Sequence, residues 1–228
     1  MPWKVPKLWE GERCFILGGG TSIPGQFNTP PEIIKNVANG AMPPSALSEY
    51  MSSIHNEHVI GVNNAYKIGD WIDILFFGDC TWHHIHRFNL ANHPSLKVTC
   101  CKRFASKEDN PERIKYIAKD RPDVGISKHC DRVGWNKNSG AATISLAVHL
   151  GVTQIVLLGF DMKLGNNNIS HFFGSHNKRP KEPPPFKRHL QGFPQIQKDA
   201  KTMGVEILNA NPDSEISVFR KINLNDIL

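Results

Sequence analysis

Residues 138–161 read Asn-Ser-Gly-Ala-Ala-Thr-Ile-Ser-Leu-Ala-Val-His-Leu-Gly-Val-Thr-Gln-Ile-Val-Leu-Leu-Gly-Phe-Asp, and the class of fold follows from them. In the first half, Ala142, Leu146 and Leu150 recur at helical spacing and form one apolar stripe. Asn138 or Ser139 is suited to cap the start of that helix, and Gly151 to stop it. In the second half, Gln154-Ile155-Val156-Leu157-Leu158 is apolar without alternation and ends in Gly159-Phe160-Asp161. That is how a strand covered on both faces reads. A helix feeding directly into such a strand is half of a βαβ unit.

The same strand signature recurs along the chain. Cys14–Leu17 runs into Gly18-Gly19-Gly20, His58–Val62 into Asn63-Asn64, and Asp73–Phe77 into Gly78-Asp79. Lys97–Cys101 is a fourth apolar run, and Val205–Leu208 leads into Asn209. Further helical patterns are expected over Pro31–Ala38, His83–Ala91, Pro111–Lys119 and Phe193–Met203. Strands alternating with helices imply an α/β domain of βαβ units with a mostly parallel sheet and helices on both faces. No linker divides the chain, so residues 1–228 are expected to form one domain. Asn39–Ser45 reads as a turn-rich insertion. The polar, proline-rich stretch 163–188 reads as a mobile, lid-like loop.

Composition narrows the function classes. The chain has 228 residues, 39% of them hydrophobic, which is enough for a core without staples. No apolar run approaches the roughly 18 residues of a membrane span, and the first residues lack a signal peptide's apolar core. A reducing, cytoplasmic setting is therefore expected. The five cysteines, Cys14, Cys80, Cys100, Cys101 and Cys130, include no C-x-x-C pair and are odd in number, which argues against a disulfide framework. The net charge of +6 favours an anionic partner. Nucleic acid is disfavoured among such partners, because the basic residues are not interleaved with stacking aromatics. A homo-oligomer is left open.

Six groups of residues could carry chemistry, each with a structural alternative. Gly18-Gly19-Gly20-Thr21-Ser22 can cradle a phosphate with successive amides or be a tight turn. Ile23 stands where a third glycine of the dinucleotide fingerprint belongs, and no Gly-Lys-Ser/Thr follows. Asp79 and Asp161 close two strands, where carboxylates hold Mg²⁺ or a ribose hydroxyl, or serve as caps and loop acceptors. Asn63 and Asn64 can read a base or sugar edge, or simply form a turn. Asn138-Ser139-Gly140 sets a helix start close to a ligand, or packs helix on sheet. His171 and His176, with the cations that follow them, offer a general base over the crevice, or a solvated loop. Cys80 and His83-His84-Ile85-His86 invite a zinc reading but lack the spacing that makes one specific.

CFILGGGTSI, VIGVNNAY, DILFFGDCTWH, the 138–162 unit and VEILNANPDSEISVF, in this order, resemble the 6-hydroxymethylpterin pyrophosphokinase-like family of archaeal type. That family is Rossmann-like and has bacterial and phage members. The same order is similar to bacterial lipooligosaccharide sialyltransferases. The first resemblance implies a nucleotide-dependent transferase in which Mg²⁺ on Asp79 and Asp161 bridges ATP phosphates; this is the expectation preferred from sequence. The second implies a CMP-sugar-dependent glycosyltransferase. There Gly18–Ser22, Asn63 and Ser139-Gly140 bind the nucleotide, and His176 or His171 deprotonates an acceptor hydroxyl. Those enzymes place tyrosines after the Gly-x-Asp, whereas Met162 and Lys163 follow Asp161 here. Both imply a nucleotide or nucleotide-sugar donor and a small-molecule or sugar acceptor. A non-catalytic nucleotide- or nucleic-acid-binding module is the rival from another class.

Overall fold

The computed structural model describes residues 1–106, 110, 113–121, 123–165, 168–174 and 185–228. Eight strands form one sheet in the order β10-β9-β8-β1-β2-β3-β4-β5. They are β1 Arg13–Leu17, β2 His58–Val62, β3 Ile74–Phe77, β4 Leu96–Thr99, β5 Lys115–Tyr116, β8 Gln154–Leu158, β9 Glu206–Asn209 and β10 Arg220–Lys221. Every pairing is parallel, for instance Cys14 opposite both His58 and Ile155. A second, two-stranded ladder pairs β6 Ala118–Lys119 with β7 Arg132–Val133. From β1 the order runs outward through β2 to β5 on one side and through β8 to β10 on the other. The reversal between β1 and β8 is the switch point at which open α/β sheets form a crevice.

Alternate side chains of the strands feed two cores. Cys14, Ile16, Ile60, Val62, Ile155 and Leu157 point into one, packed by α4 (Ser139–His149) and α6 (Phe193–Thr202). Phe15, Leu17, Val59, Val156 and Leu158 point into the other, with Val37 of α2 (Pro31–Ala38) and Leu47 and Met51 of the 3₁₀ segment Pro44–Ile54. The covering of both faces is why the strands read as unbroken apolar runs. α3 (Cys80–Ala91) buries Trp82 and Leu90 against Leu75 and Phe77 in a third cluster. The remaining helices are short: α1 (Ile23–Gln26) follows the glycine loop, and α5 (Phe186–Leu190) precedes α6.

Two expectations are corrected. The helix expected over 111–119 is replaced, in its described part, by strands β5 and β6. Arg113 takes a left-handed φ of 54°, which no helix interior accepts, and Ile117 N–H bonds Thr99 O at 2.9 Å, extending the pairing with β4. The cysteines are also not all thiols. Cys80, first in α3, and Cys101, just past β4, form a disulfide with Cα atoms 5.7 Å apart. Cys14 and Cys100 are buried thiols, and desolvation pushes Cys100 up to about 12. No helix among the described residues is long and apolar enough to cross a membrane.

The disulfide closes a loop of 21 residues between two neighbouring strand ends. Reducing it, or substituting Cys80→Ser, is expected to lower unfolding stability by about 3 kcal/mol through loop-closure entropy. Urea unfolding with and without reductant measures this, and coincident curves would show the bond to be absent or inconsequential.

Candidate functional site

Because all eight strands run parallel, their carboxyl ends share one edge of the sheet, and the glycine loop meets the β8 end there. Asp161 is 4% exposed and accepts four bonds. Ser22 N–H donates to its Oδ2 at 3.0 Å and Ser22 Oγ to its Oδ1 at 2.5 Å. Asn211 Nδ2 donates to Oδ1 at 2.8 Å, and Thr21 Oγ1 lies 3.5 Å from Oδ2. One carboxylate thus ties the ends of β1, β8 and β9 together. The Asn211–Ser214 segment reinforces the tie: Ser214 Oγ donates to Phe160 O, and Glu215 N–H to Asp161 O.

The glycines are required by close approach. A Cβ on Gly18 would stand 2.7 Å from Gly159 O, and one on Gly20 would stand 2.5 Å from the Asp161 carboxylate. Three loop amides are used internally: Gly18 N–H bonds Leu158 O, Gly20 N–H bonds Gly159 O, and Ser22 N–H bonds Asp161. Gly19 N–H and Thr21 N–H have no partner among the described residues. These two are the donors available to an anion. The helix that follows the loop has only four residues, and the longer helices that start at this edge include α3, after β3, and α4, before β8.

α4 starts where the sequence placed it. Asn138 Oδ1 caps it by accepting from Gly140 N–H at 2.9 Å, and the opposite atom of that amide, Nδ2, is buried with no partner among the described residues. Gly140 lies against Phe160: a Cβ there would meet the ring at 2.9 Å. Ser139 is half-buried at the same turn.

Residues 163–188, expected from sequence to be one mobile loop, are described in part: 186–188 open α5, while Gly165, His171 and Phe172 lie against the glycine loop. A Cβ on Gly165 would lie 2.2 Å from Thr21 Oγ1, and Phe172 N–H bonds Gly19 O at 3.0 Å while its ring is buried in the second core. This places His171 Nδ1 3.1 Å from the point a Cβ on Gly19 would occupy. His176 lies outside the described residues.

The other candidates stand as follows. Asn63 ends β2 in a left-handed conformation, φ 51°, and its Oδ1 is buried without a partner among the described residues. Asn64 accepts from Trp82 Nε1 at 2.6 Å inside the third core cluster. Asp79 caps α3, accepting from Thr81 N–H at 2.7 Å. Asp79 and Asp161 follow strands three positions apart, which puts them about 14 Å from each other at ordinary strand spacing. With one carboxylate capping a helix and the other taken up by four donors, the pair does not fit a shared Mg²⁺.

Among the 80–86 residues, Cys80 is in the disulfide. His86 Nδ1 meets Tyr66 Oη at 3.0 Å, and His83 stacks on Phe77. No group of three His, Cys, Asp or Glu able to hold a metal is found among the described residues. Shallow grooves of about 390 and 470 Å³ lie at the opposite, amino-terminal edge of the strands, beside Glu206 and Asp70. Neither contains any of the candidate residues.

One neighbour of the crevice had no sequence signal. Trp135 lies over Gly78 at the end of β3, where a Cβ would come within 2.1 Å of the indole, and Lys119 Nζ stands 3.9 Å from its ring centroid. Nothing in spacing or periodicity connects Trp135, Lys119 and Gly78.

By sequence, no family model and no curated protein matches the chain. By structure, a glycosyltransferase, MAf, from Magnetospirillum magneticum AMB-1 overlaps 99% of this chain and 36% of its own length, with a TM-score of 0.59 and 12% identity. The chain thus spans about a third of that protein. The sialyltransferase CstII from Campylobacter jejuni, in complex with the substrate analogue CMP-3FNeuAc, overlaps 94% of this chain and 87% of its own, with a TM-score of 0.51 and 13% identity. At such identities the likeness concerns the fold, a single, mostly parallel α/β domain of the kind glycosyltransferases use. The sialyltransferase-like part of the resemblance has a structural counterpart; the pyrophosphokinase-like part gains no support from these neighbours.

Asp161→Asn is expected to lower stability by about 1–3 kcal/mol. The substitution removes the charge and puts an amide donor where donors already point. Chemical denaturation measures the change, and an unmoved midpoint would show that the carboxylate does not hold the strand ends together.

Proposed function

We propose that the chain is a glycosyltransferase that uses a nucleotide-sugar donor and an acceptor hydroxyl. The observation that carries this reading is the meeting, at one switch point, of two loop amides with no partner among the described residues, Gly19 and Thr21, with His171. The capped start of α4 lies on the same edge. The overlap with glycosyltransferase folds supports it.

In this reading the donor's phosphate oxygens accept from Gly19 and Thr21 N–H and lie in the positive field of α4's first turn. The acceptor oxygen attacks the sugar's anomeric carbon while the bond from that carbon to the phosphate oxygen breaks. The acceptor's proton passes to the His171 imidazole, and the electron pair of the broken bond leaves with the nucleotide phosphate. Fixed amides are suited to that growing charge, since they need no reorganisation as it develops. Met162 and Lys163 follow Asp161 where the sialyltransferases that the sequence resembles have tyrosines, so the leaving phosphate here relies on the amides and the α4 start.

ATP-dependent pyrophosphoryl transfer instead relies on metal ions bridging phosphates. The two carboxylates that sequence offered for that task are about 14 Å apart. The glycosyl reading therefore takes precedence, and no step here runs through Mg²⁺.

Thermal shift with CMP, UDP, GDP and ADP, followed by mass spectrometry of acceptor mixtures supplied with the matching nucleotide-sugars, tests the reading. Stabilisation by at least one nucleotide and transfer of its sugar are expected. Stabilisation by oligonucleotides alone, fading with salt, would favour a binding module instead. In the active enzyme, His171→Ala is expected to lower kcat by roughly 100-fold or more and leave the donor Kd nearly unchanged. An unchanged kcat would remove His171 from the chemistry.

A further inference from the structure

We infer that Trp135 is a specificity-determining residue of the donor site, the wall against which the donor's nucleobase stacks; this rests on the nucleotide-sugar reading above. Position is the first argument. Ring atoms Cζ3 and Cη2 lie 2.3 Å or less from where a Cβ on Gly78 would stand, and Ser139 Oγ lies 3.2 Å from the same point. The indole therefore rests on the backbone at the carboxyl end of β3, next to the first turn of α4. Gly19 follows β1, two strand positions away, or about 10 Å. That separation suits an extended nucleotide with its phosphate at Gly19 and its base at Trp135.

Rigidity is the second. Trp135 N–H donates to Asp123 Oδ1 at 2.7 Å. The next residue, Asn136, is buried and bonds both Gly125 N–H, at 2.7 Å, and Gly125 O, at 3.0 Å. Asn136 and Lys137 are consecutive left-handed residues, φ 48° and 54°. A large ring held by a left-handed turn, tied by the Trp135 and Asn136 hydrogen bonds, costs little further ordering when a ligand arrives.

The third argument is what surrounds the ring. It packs against the α4 core on one side, and the exposed Lys119 lies over it. An exposed cation–π contact is weaker than stacking of a base on an aromatic ring, so a base displaces the ammonium. Two buried polar atoms at the same edge of the sheet have no partner among the described residues: Asn63 Oδ1, just past the neighbouring strand β2, and Nδ2 of Asn138, whose backbone N–H bonds Trp135 O at 3.0 Å. An acceptor and a donor at the edge that carries a stacking surface are what a base or ribose edge requires.

The test titrates the full chain, as wild type, Trp135→Phe and Trp135→Leu, with CMP, UDP, GDP and ADP, and with ribose 5-phosphate as a ligand lacking a base. The best-bound nucleotide is expected to quench tryptophan fluorescence in wild type and to lose that quench in Trp135→Phe. In Trp135→Leu its Kd should rise at least about ten-fold, with Phe restoring most of the affinity and ribose 5-phosphate binding unchanged. Two results would overturn the inference: a folded Trp135→Leu that binds the nucleotide as wild type does, or equal losses for the nucleotide and ribose 5-phosphate. Should Trp135→Leu not fold, an undiminished quench in Trp135→Phe overturns it. If wild type binds no nucleotide, the nucleotide-sugar reading fails first and this inference fails with it.

Discussion

The buried carboxylate of Asp161 is the contact on which the site's geometry depends. Burying an anion is costly unless hydrogen bonds replace its water. Here an amide N–H, two hydroxyls and an asparagine NH₂ do so, drawn from the turns after β1 and β9. Those turns are distant in sequence, so satisfying one carboxylate brings three strand ends into register. The same contact limits how an anion can bind. Ser22 turns its N–H inward, which leaves Gly19 and Thr21 as donors and sets a negative group behind them. The positive end of α4 offsets that repulsion.

The glycines in this turn answer to the same constraint. Gly18 and Gly20 are needed because Gly159 O and the Asp161 carboxylate lie where their side chains would be. Gly19 has a different neighbour, the His171 ring. Two glycines thus serve the protein's own packing, and one leaves room for a histidine over the site. The tight-turn reading holds for Gly18, Gly20 and Ser22, whose amides bond within the protein, and Gly19 and Thr21, whose amides have no partner among the described residues, are the ones that a phosphate cradle would use.

The fold was legible because two-sided burial leaves a local trace. Strands β1, β2 and β8 were readable to within a residue as apolar runs ending in small or polar residues, and α4 as a stripe between a cap and a stop. β5 and β6 left no such trace: each has two residues, and β5 is held by pairing with the β4 edge, information carried by another part of the chain. The site was legible as a set of residues but not as roles. Asp161 and Asp79 looked alike in sequence, each an acid after an apolar run. One became a three-way tie and the other a helix cap, because only Asp161 faces the switch point. The disulfide and Trp135 were invisible for the same reason. Cys80 meets Cys101, and Trp135 meets Gly78, only once β3, β4 and α4 have been assembled.

The two walls of the crevice are built by different physics. On the β1–β8 side backbone amides, a buried carboxylate and glycines at contact distance make a polar, over-determined turn, with the Phe160 ring and Ile23 packed against its glycines. On the β3–β4 side the wall is aromatic, with an indole on a glycine and a disulfide joining the strand ends beneath. A polar wall fixes the position of a phosphate but discriminates poorly among the molecules that carry one. An apolar, rigid wall binds no phosphate but distinguishes planar groups by area and edge chemistry. A parallel sheet whose order reverses at β1 places both at one edge, a few strands apart.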